Sequence, residues 1–378
     1  MSFIPTISSS LKSAYWNVSS RLKDRSFFPR SFSTRPGKLK VLLITEKDKI
    51  CKSQIFPFYF YRAELNDLYD VEMREVRLND FESMPDKAPQ NADIVLLQTW
   101  FDISEDRLTR TVDYLKHKNR NAKFIFLDSF APTDLRLAQW LGDKVDVYLK
   151  KHVLRDRSKY FNPTRGDTNL VDYYGRLYNL DYEEVYYPIP ENFLDKLIVG
   201  PSFVTAPYML PYFTLHNGPF SLPKKFDIHG RLAYKGSDWY GSMRKHSIEK
   251  MDSLKDISAL SKTGVGKKQY FNELRSSKLC FSPFGYGEVC WRDYEAVLCG
   301  SLLIKPDMSH LETTPDIFVP HETYVPIEWD FSNFEEVVRY YLAHDSERER
   351  IVKLAYETLH DYCVNKVFVK QMEPIFST

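Results

Sequence analysis

The stretch from Leu279 to Asp307, LCFSPFGYGEVCWRDYEAVLCGSLLIKPD, constrains the fold more than any other part of the chain. It opens with a short apolar run, Leu279 to Phe281, that stops at Ser282 and Pro283, the pattern of a buried strand. A loop with Gly285 and Gly287 follows, and glycine lets backbone approach a ligand closely or take positive φ. Val289, Tyr294, Val297 and Leu298 then recur at mostly helical spacing, and Gly300 supplies the stop. Ser301 to Lys305 reads as a second strand, ended by Pro306. Strand, glycine loop, helix, strand is the βαβ unit in which a phosphate can sit over the helix N-terminus.

Glu288, Arg292, Asp293 and Glu295 crowd the loop and the first two helical turns. Arg292 is suited to neutralising a diphosphate, and a carboxylate such as Glu295 to accepting hydrogen bonds from both hydroxyls of a ribose. An ordinary acidic helix N-terminus, worth about 0.3–1 kcal/mol, accounts for the same residues on spacing alone. A glycine pair before a helix is by itself a weak signal.

Upstream, Lys38 to Thr45 (KLKVLLIT) is the first clear buried strand, and Val71 to Leu78, Ala92 to Gln98, Ala122 to Asp128 and Val145 to Leu149 follow it. Between them lie a mixed segment, Gln54 to Leu68, helical after Pro57, and a helix opened by Ser104 with Glu105 and Asp106 in its first turn. This alternation indicates a parallel α/β sheet, whose ligands gather at the carboxyl ends of the strands. That face carries Thr45 and Glu46, Thr99 to Asp102, and Asp128 to Asp134. Lys150 to Leu222 is rich in Tyr, Pro and Asn, with a helix expected over Glu191 to Ile198 and hinge-like composition over Asn217 to Lys225. Phe226 to Ala233 begins a second half as its first strand, and Gly236 to Leu254 holds a helix with Arg244 and Lys245 early in it. Gly264 and Gly266 precede a helix from Lys268 to Ser276, and Ser332 to Leu342 and Ser346 to Tyr362 are amphipathic helices.

The length of 378 residues suits two domains, divided here as 38–222 and 223–378. A net charge of +1 removes any argument from global charge for a nucleic-acid partner, and no segment suits a membrane span. The 5 cysteines form no CxxC pair and their odd count, without a secretory signal, points to a reducing, cytoplasmic setting. The 9 histidines show no ligand spacing, so no metal site is expected. Residues 1–37 stand apart: eight basic side chains between Lys12 and Lys40 face a single acid, Asp24, and Ser8 to Arg25 has the periodicity of an amphipathic helix. A loose extension, a contact with an anionic membrane surface and an organellar targeting segment all fit that composition.

The segment from Tyr270 through Leu274, Ser277, Lys278, Ser282, Pro283, Gly285, Gly287, Arg292, Glu295, Ala296 and Gly300 to Asp307 resembles the nucleotide-sugar-binding segment of GT-B glycosyltransferases, in particular the bacterial family-1-like and exostosin-like groups. One departure is visible: the better-known signature places seven residues between its two glutamates, and six separate Glu288 from Glu295. The resemblance implies an α/β chain of two Rossmann-like domains facing a cleft. It also implies metal-independent transfer of a hexosyl or pentosyl group from a nucleotide sugar, a co-substrate rather than a cofactor, to the hydroxyl of a glycan or lipid-linked acceptor, in surface glycan synthesis. By the same resemblance Arg244, Ser282, Gly285, Gly287, Glu288, Arg292 and Glu295 contact the donor, and the last helix crosses back to the first domain. An inverting reaction would need a general base in the first domain; Asp102 and Asp128 are the candidates, with Glu46 behind them. A sugar-nucleotide-binding module without transfer activity and a membrane-attached scaffold are the alternatives.

Overall fold

The computed structural model describes residues 29–35, 37–216, 218–219 and 223–377. The helix expected over Ser8 to Arg25, and with it any membrane contact of the basic extension, lies outside the described residues. The first sheet contains β1 (Leu39–Thr45), β2 (Val71–Arg77), β3 (Ile94–Leu97), β4 (Lys123–Asp128), β5 (Val147–Lys150) and β6 (Leu197–Val199), in spatial order β2-β1-β3-β4-β5-β6. All its pairings are parallel, with Val41 set between Met73 and Ile94. Val41 to Ile44 are wholly buried because the sheet is covered on both faces, which is why these strands read as continuous apolar runs.

One expectation is corrected here. The segment 191–198 is a short 3-10 turn, Phe193–Lys196, followed by β6, since Leu197, Ile198 and Val199 extend beside Tyr148 to Lys150 and satisfy the open edge of β5. The chain is helical after Pro57 as expected, through Phe60 and again over Arg62–Tyr69, and the helix also extends upstream: Pro57 lies inside α1 (Lys49–Phe60), whose N-cap Asp48 accepts from the Ile50 N–H. The Ser104 cap is observed, heading α2 (Glu105–Lys118) and accepting from the Arg107 N–H.

The second sheet has β7 (Phe226–His229), β8 (Ala259–Leu260), β9 (Ser277–Phe281), β10 (Leu302–Pro306) and β11 (Val325–Ile327), in order β8-β7-β9-β10-β11 and again all parallel. Its helices include α3 (Asp238–Asp252), α4 (Lys267–Arg275) and α5 (Trp291–Cys299), followed by the long α6 (Asp345–Val364) and the short α7 (Val367–Gln371) and α8 (Glu373–Phe376). Strand order reverses between β7 and β9, so a crevice opens at their carboxyl ends, where the Ser282–Cys290 loop enters α5.

Two opposed Rossmann-like sheets are the GT-B arrangement, and several contacts fix them face to face. His152–Leu154 and Leu311–Thr313 form an antiparallel ladder across the divide, and the Thr133 hydroxyl donates to Glu288 Oε1 at 2.5 Å. After α6 the chain returns to the first sheet's helices: Tyr61 donates to the Cys363 carbonyl at 2.7 Å, Lys123 to that of Pro374 at 2.7 Å, and Phe58 meets Phe368 and Phe376 edge-on.

Candidate active site

The reversal point of the second sheet holds a cavity of about 670 Å³. The residues expected at the donor line it: Arg244 from α3, Ser282, Gly285 and Gly287 from the loop, Arg292 and Glu295 from α5. They converge because the loop delivers the N-terminus of α5 to the cavity and residues three apart share one helix face. Asp293 serves a different purpose: it faces inward, accepting from the Cys290 N–H at 2.7 Å and the Ser282 hydroxyl at 2.6 Å, with Lys305 at 3.1 Å, and so pins the strand end to the first helical turn. Gly300 ends α5 with φ of +66°, a conformation that glycine adopts at no steric cost.

The electrostatics of this cavity ask for an anion. Arg244 and Arg292 are largely buried within it, and the Nε of each lacks a hydrogen-bond partner. Arg292 is aimed by one Nη, which donates to the Arg231 carbonyl at 2.5 Å, and Arg244 lies over the Tyr240 ring at 5.0 Å. Burial and the nearby charge of Arg292 push the Arg244 guanidinium down from its ordinary pKa. Two like charges confined in this way are stabilised by a bound polyanion, and the N–H groups at the start of α5 add the positive end of its dipole. Opposite them the Glu295 carboxylate accepts from Tyr208 at 3.0 Å and Tyr270 at 2.8 Å, which fixes its orientation before any ligand arrives. Burial pushes both phenols up, so both remain donors.

Lys267, Phe203 and Trp291, none of them expected at this site, also line the cavity, and Tyr208 borders it through its bond to Glu295. Lys267 extends over the Tyr208 ring at 5.0 Å, and Trp291 stacks on Phe203 with ring centroids 3.9 Å apart. The Gly264–Gly266 pair just before α4 was the available signal for Lys267. Phe203 and Tyr208 come from the region without readable periodicity.

Glu288 is not a wall of this cavity. It is fully buried and turned toward the first domain, bonded to Thr133 with His152 and His310 each at 3.8 Å. Burial pushes its carboxyl up, but His310, His152 and Thr133 outweigh that and hold it at about 2. The cause is the preceding residue: a Cβ on Gly287 would stand 1.8 Å from the Ala131 carbonyl oxygen, so the loop presses on the first domain and Glu288 enters the seam.

The carboxylates expected as general base are also displaced. Asp128 ends β4 but is fully buried, accepting from Tyr148 at 2.6 Å, Lys150 at 2.7 Å and the Phe130 N–H at 2.8 Å. It is the counter-ion of a buried lysine. Asp102 lies exposed in the turn after β3 and lines neither this cavity nor its neighbour. Glu46, half-buried with its carboxyl pushed up by burial, is likewise outside both.

That neighbour is a second cavity, of about 630 Å³, at the carboxyl ends of the first sheet. It shares Ile50, Ala131 and Tyr286 with the first, so the two meet at the domain seam. Its walls are largely aromatic, and Asp167 is the carboxylate among its lining residues. Among the described residues, no group of three or more His, Cys, Asp or Glu is placed to hold a metal ion, and no helix is long and apolar enough to cross a membrane.

Residues 221–373, which include the arginine pair and Glu295, match the family model described as glycosyl transferase-like. The match lies in the second half of the chain, whose sheet faces that of the first half in the GT-B arrangement. Over 90% of its length the chain is similar to a glycosyltransferase from Rickettsia africae ESF-5, at 11% identity and a TM-score of 0.48, covering 98% of that chain. It is also similar over 90% of its length to an alpha-glucosyltransferase in complex with UDP-glucose and DNA containing an abasic site, at 9% identity and a TM-score of 0.46, covering 100% of that chain. Anabaena HepE in complex with UDP-glucose aligns with the same coverage of both chains, 9% identity and a TM-score of 0.46. No curated protein matches the chain.

Proposed function

We propose that this chain moves a sugar from a nucleotide-sugar donor in the arginine-lined cavity to an acceptor hydroxyl presented from the adjoining cavity of the first domain. The observation that carries this reading is the pair of buried guanidiniums, Arg244 and Arg292, with unpartnered Nε atoms in one cavity at the N-terminus of α5. When the glycosidic bond breaks, negative charge grows on the leaving diphosphate. Fixed donors around that position, here Arg244, Arg292, Lys267 and the first N–H groups of α5, stabilise the transition state more than the bound substrate. Glu295, already oriented by Tyr208 and Tyr270, is placed to accept from a ribose diol. The contact of Gly287 with Ala131 closes the seam beside this point, which limits water that would otherwise hydrolyse the donor.

The test is release of nucleoside diphosphate from a panel of UDP, GDP and TDP sugars, with nucleoside diphosphate binding measured separately by calorimetry. Binding of one nucleoside diphosphate that Arg292→Ala weakens supports the reading. Equal binding to wild type and variant, in a variant of unchanged circular dichroism, would overturn it.

A further inference from the structure

We propose that the acceptor is an uncharged pyranoside whose C–H face lies on the aromatic wall of the 630 Å³ cavity, with its hydroxyls turned to the Arg136–Asp167 pair. This rests on the reading above, since it names the second substrate of the same centre. The cavity lies within the ~300–1,000 Å³ range of small-ligand pockets, and Trp100, Phe101, Phe130, Tyr182, Trp239 and Tyr286 bound it. The rings form corners rather than a greasy tube. Phe101 meets Phe130 edge-on at 78° and Trp239 meets Tyr286 at 85°, so the rings bounding the space stand at right angles to one another rather than in one parallel stack. A π face attracts the slightly positive hydrogens on the apolar face of a sugar ring, whereas the equatorial hydroxyls of that ring need polar groups at its rim. The rim supplies them: Arg136 lies 3.4 Å from Asp167, and both line the cavity.

Charge then selects among acceptors. Arg136 is already chelated by Asp134, at 2.7 Å to Nε and 2.8 Å to Nη2, before Asp167 is counted. Two carboxylates against one guanidinium leave no free cation for a phosphate or carboxylate, so the cavity disfavours phosphate-bearing polymers and nucleic acid. The unpartnered Nε atoms of Arg244 and Arg292 lie next door, in the cavity assigned to the diphosphate. A saturated lipid chain would need neither the flat rings nor the charged rim.

Phe101 is 42% exposed, so Phe101→Ala removes one wall without opening the core. The experiment is saturation-transfer NMR on the full chain, with and without nucleoside diphosphate, using methyl and octyl β-glucoside, galactoside, mannoside and N-acetylglucosaminide. Glycerol phosphate oligomers, a short duplex DNA and octanol serve as contrasts. Binding of at least one neutral glycoside, weakened about 3- to 10-fold in Phe101→Ala as expected for one lost aromatic contact, supports the proposal. A methyl glycoside that binds as well as its octyl counterpart supports the sugar ring, rather than the chain, as the recognised part. Preference for glycerol phosphate, DNA or octanol, or equal glycoside binding by wild type and Phe101→Ala, would overturn it. Because the glycoside signal does not require turnover, loss of nucleoside diphosphate binding would sink the donor assignment alone.

Discussion

The two cavities that meet at Ile50, Ala131 and Tyr286 are built in opposite ways. The one against α5 draws most of its polar groups from a single continuous stretch, Ser282 to Glu295, and supplies charge and hydrogen-bond donors. Its neighbour is assembled from distant loops, Trp100–Phe101, Ser129–Pro132, Gly166–Thr168 and Ser237–Trp239, and supplies flat apolar surface with one neutralised ion pair. A phosphate site can be compact in sequence because consecutive backbone N–H groups and one helix face suffice. A sugar-accepting surface needs walls on several sides, and only folding collects them.

The largest expected effect sharpens this division. Asp128→Asn would strand Lys150, fully buried, without its counter-ion, and should cost on the order of 3–5 kcal/mol of stability, read as a fall in the thermal midpoint. A lowered turnover at an unchanged midpoint would instead restore Asp128 to the chemistry. Next comes Arg292→Ala, which should weaken nucleoside diphosphate binding about 100-fold by calorimetry, roughly two charge-assisted bonds at ~1.5 kcal/mol each. Glycoside binding should stay within about twofold, and a parallel loss of both would dissolve the distinction between the cavities.

Gly287→Ala acts on the seam itself. Its Cβ has no room beside the Ala131 carbonyl, and a cost of about 1–3 kcal/mol is expected. Turnover should fall more than nucleoside diphosphate binding, and equal losses would show that the seam contributes nothing to transfer. Glu288 gives a pH signature. Its folded pKa lies below the ordinary carboxylate value, so its stabilisation is complete above about pH 4.5 and fades as the pH falls toward 2. Glu288→Gln should therefore flatten the acid limb of a stability–pH profile, by at most ~1.4 kcal/mol per pH unit; unchanged slopes would remove Glu288 from the seam's charge balance. The smallest effect belongs to Asp102→Asn, exposed and outside both cavities, which should leave stability within about 0.5 kcal/mol and the rate within about twofold. A hundredfold loss of kcat would return Asp102 as the base.

Much of the frame was readable before folding. The strands from Lys38 to Val145 and from Phe226 to Ser301 announced themselves as apolar runs because both faces of each sheet are covered. The exceptions are instructive: Leu197 to Val199 is too short for periodicity to separate strand from helix, and its identity comes from the open edge of β5. Asp128 looked available because a carboxylate at a strand's carboxyl end often faces ligand, yet Lys150, twenty-two positions later and adjacent in the sheet, claims it.

By itself the amino-acid sequence determined the local chemistry of α5: a glycine loop, a helix start, and Arg292 and Glu295 three residues apart on one face. Those relations are set by backbone geometry over a few residues and need nothing distant. Tertiary structure decided everything that depends on a surface meeting another. It turned Glu288 away from the ligand by packing Gly287 on Ala131, buried Asp128 against Lys150, and collected Trp100, Phe101, Phe130, Tyr182, Trp239 and Tyr286 around one space. The physical reason is that burial and charge pairing are properties of neighbours in space, and in a sheet of crossover connections those neighbours lie tens to hundreds of residues apart.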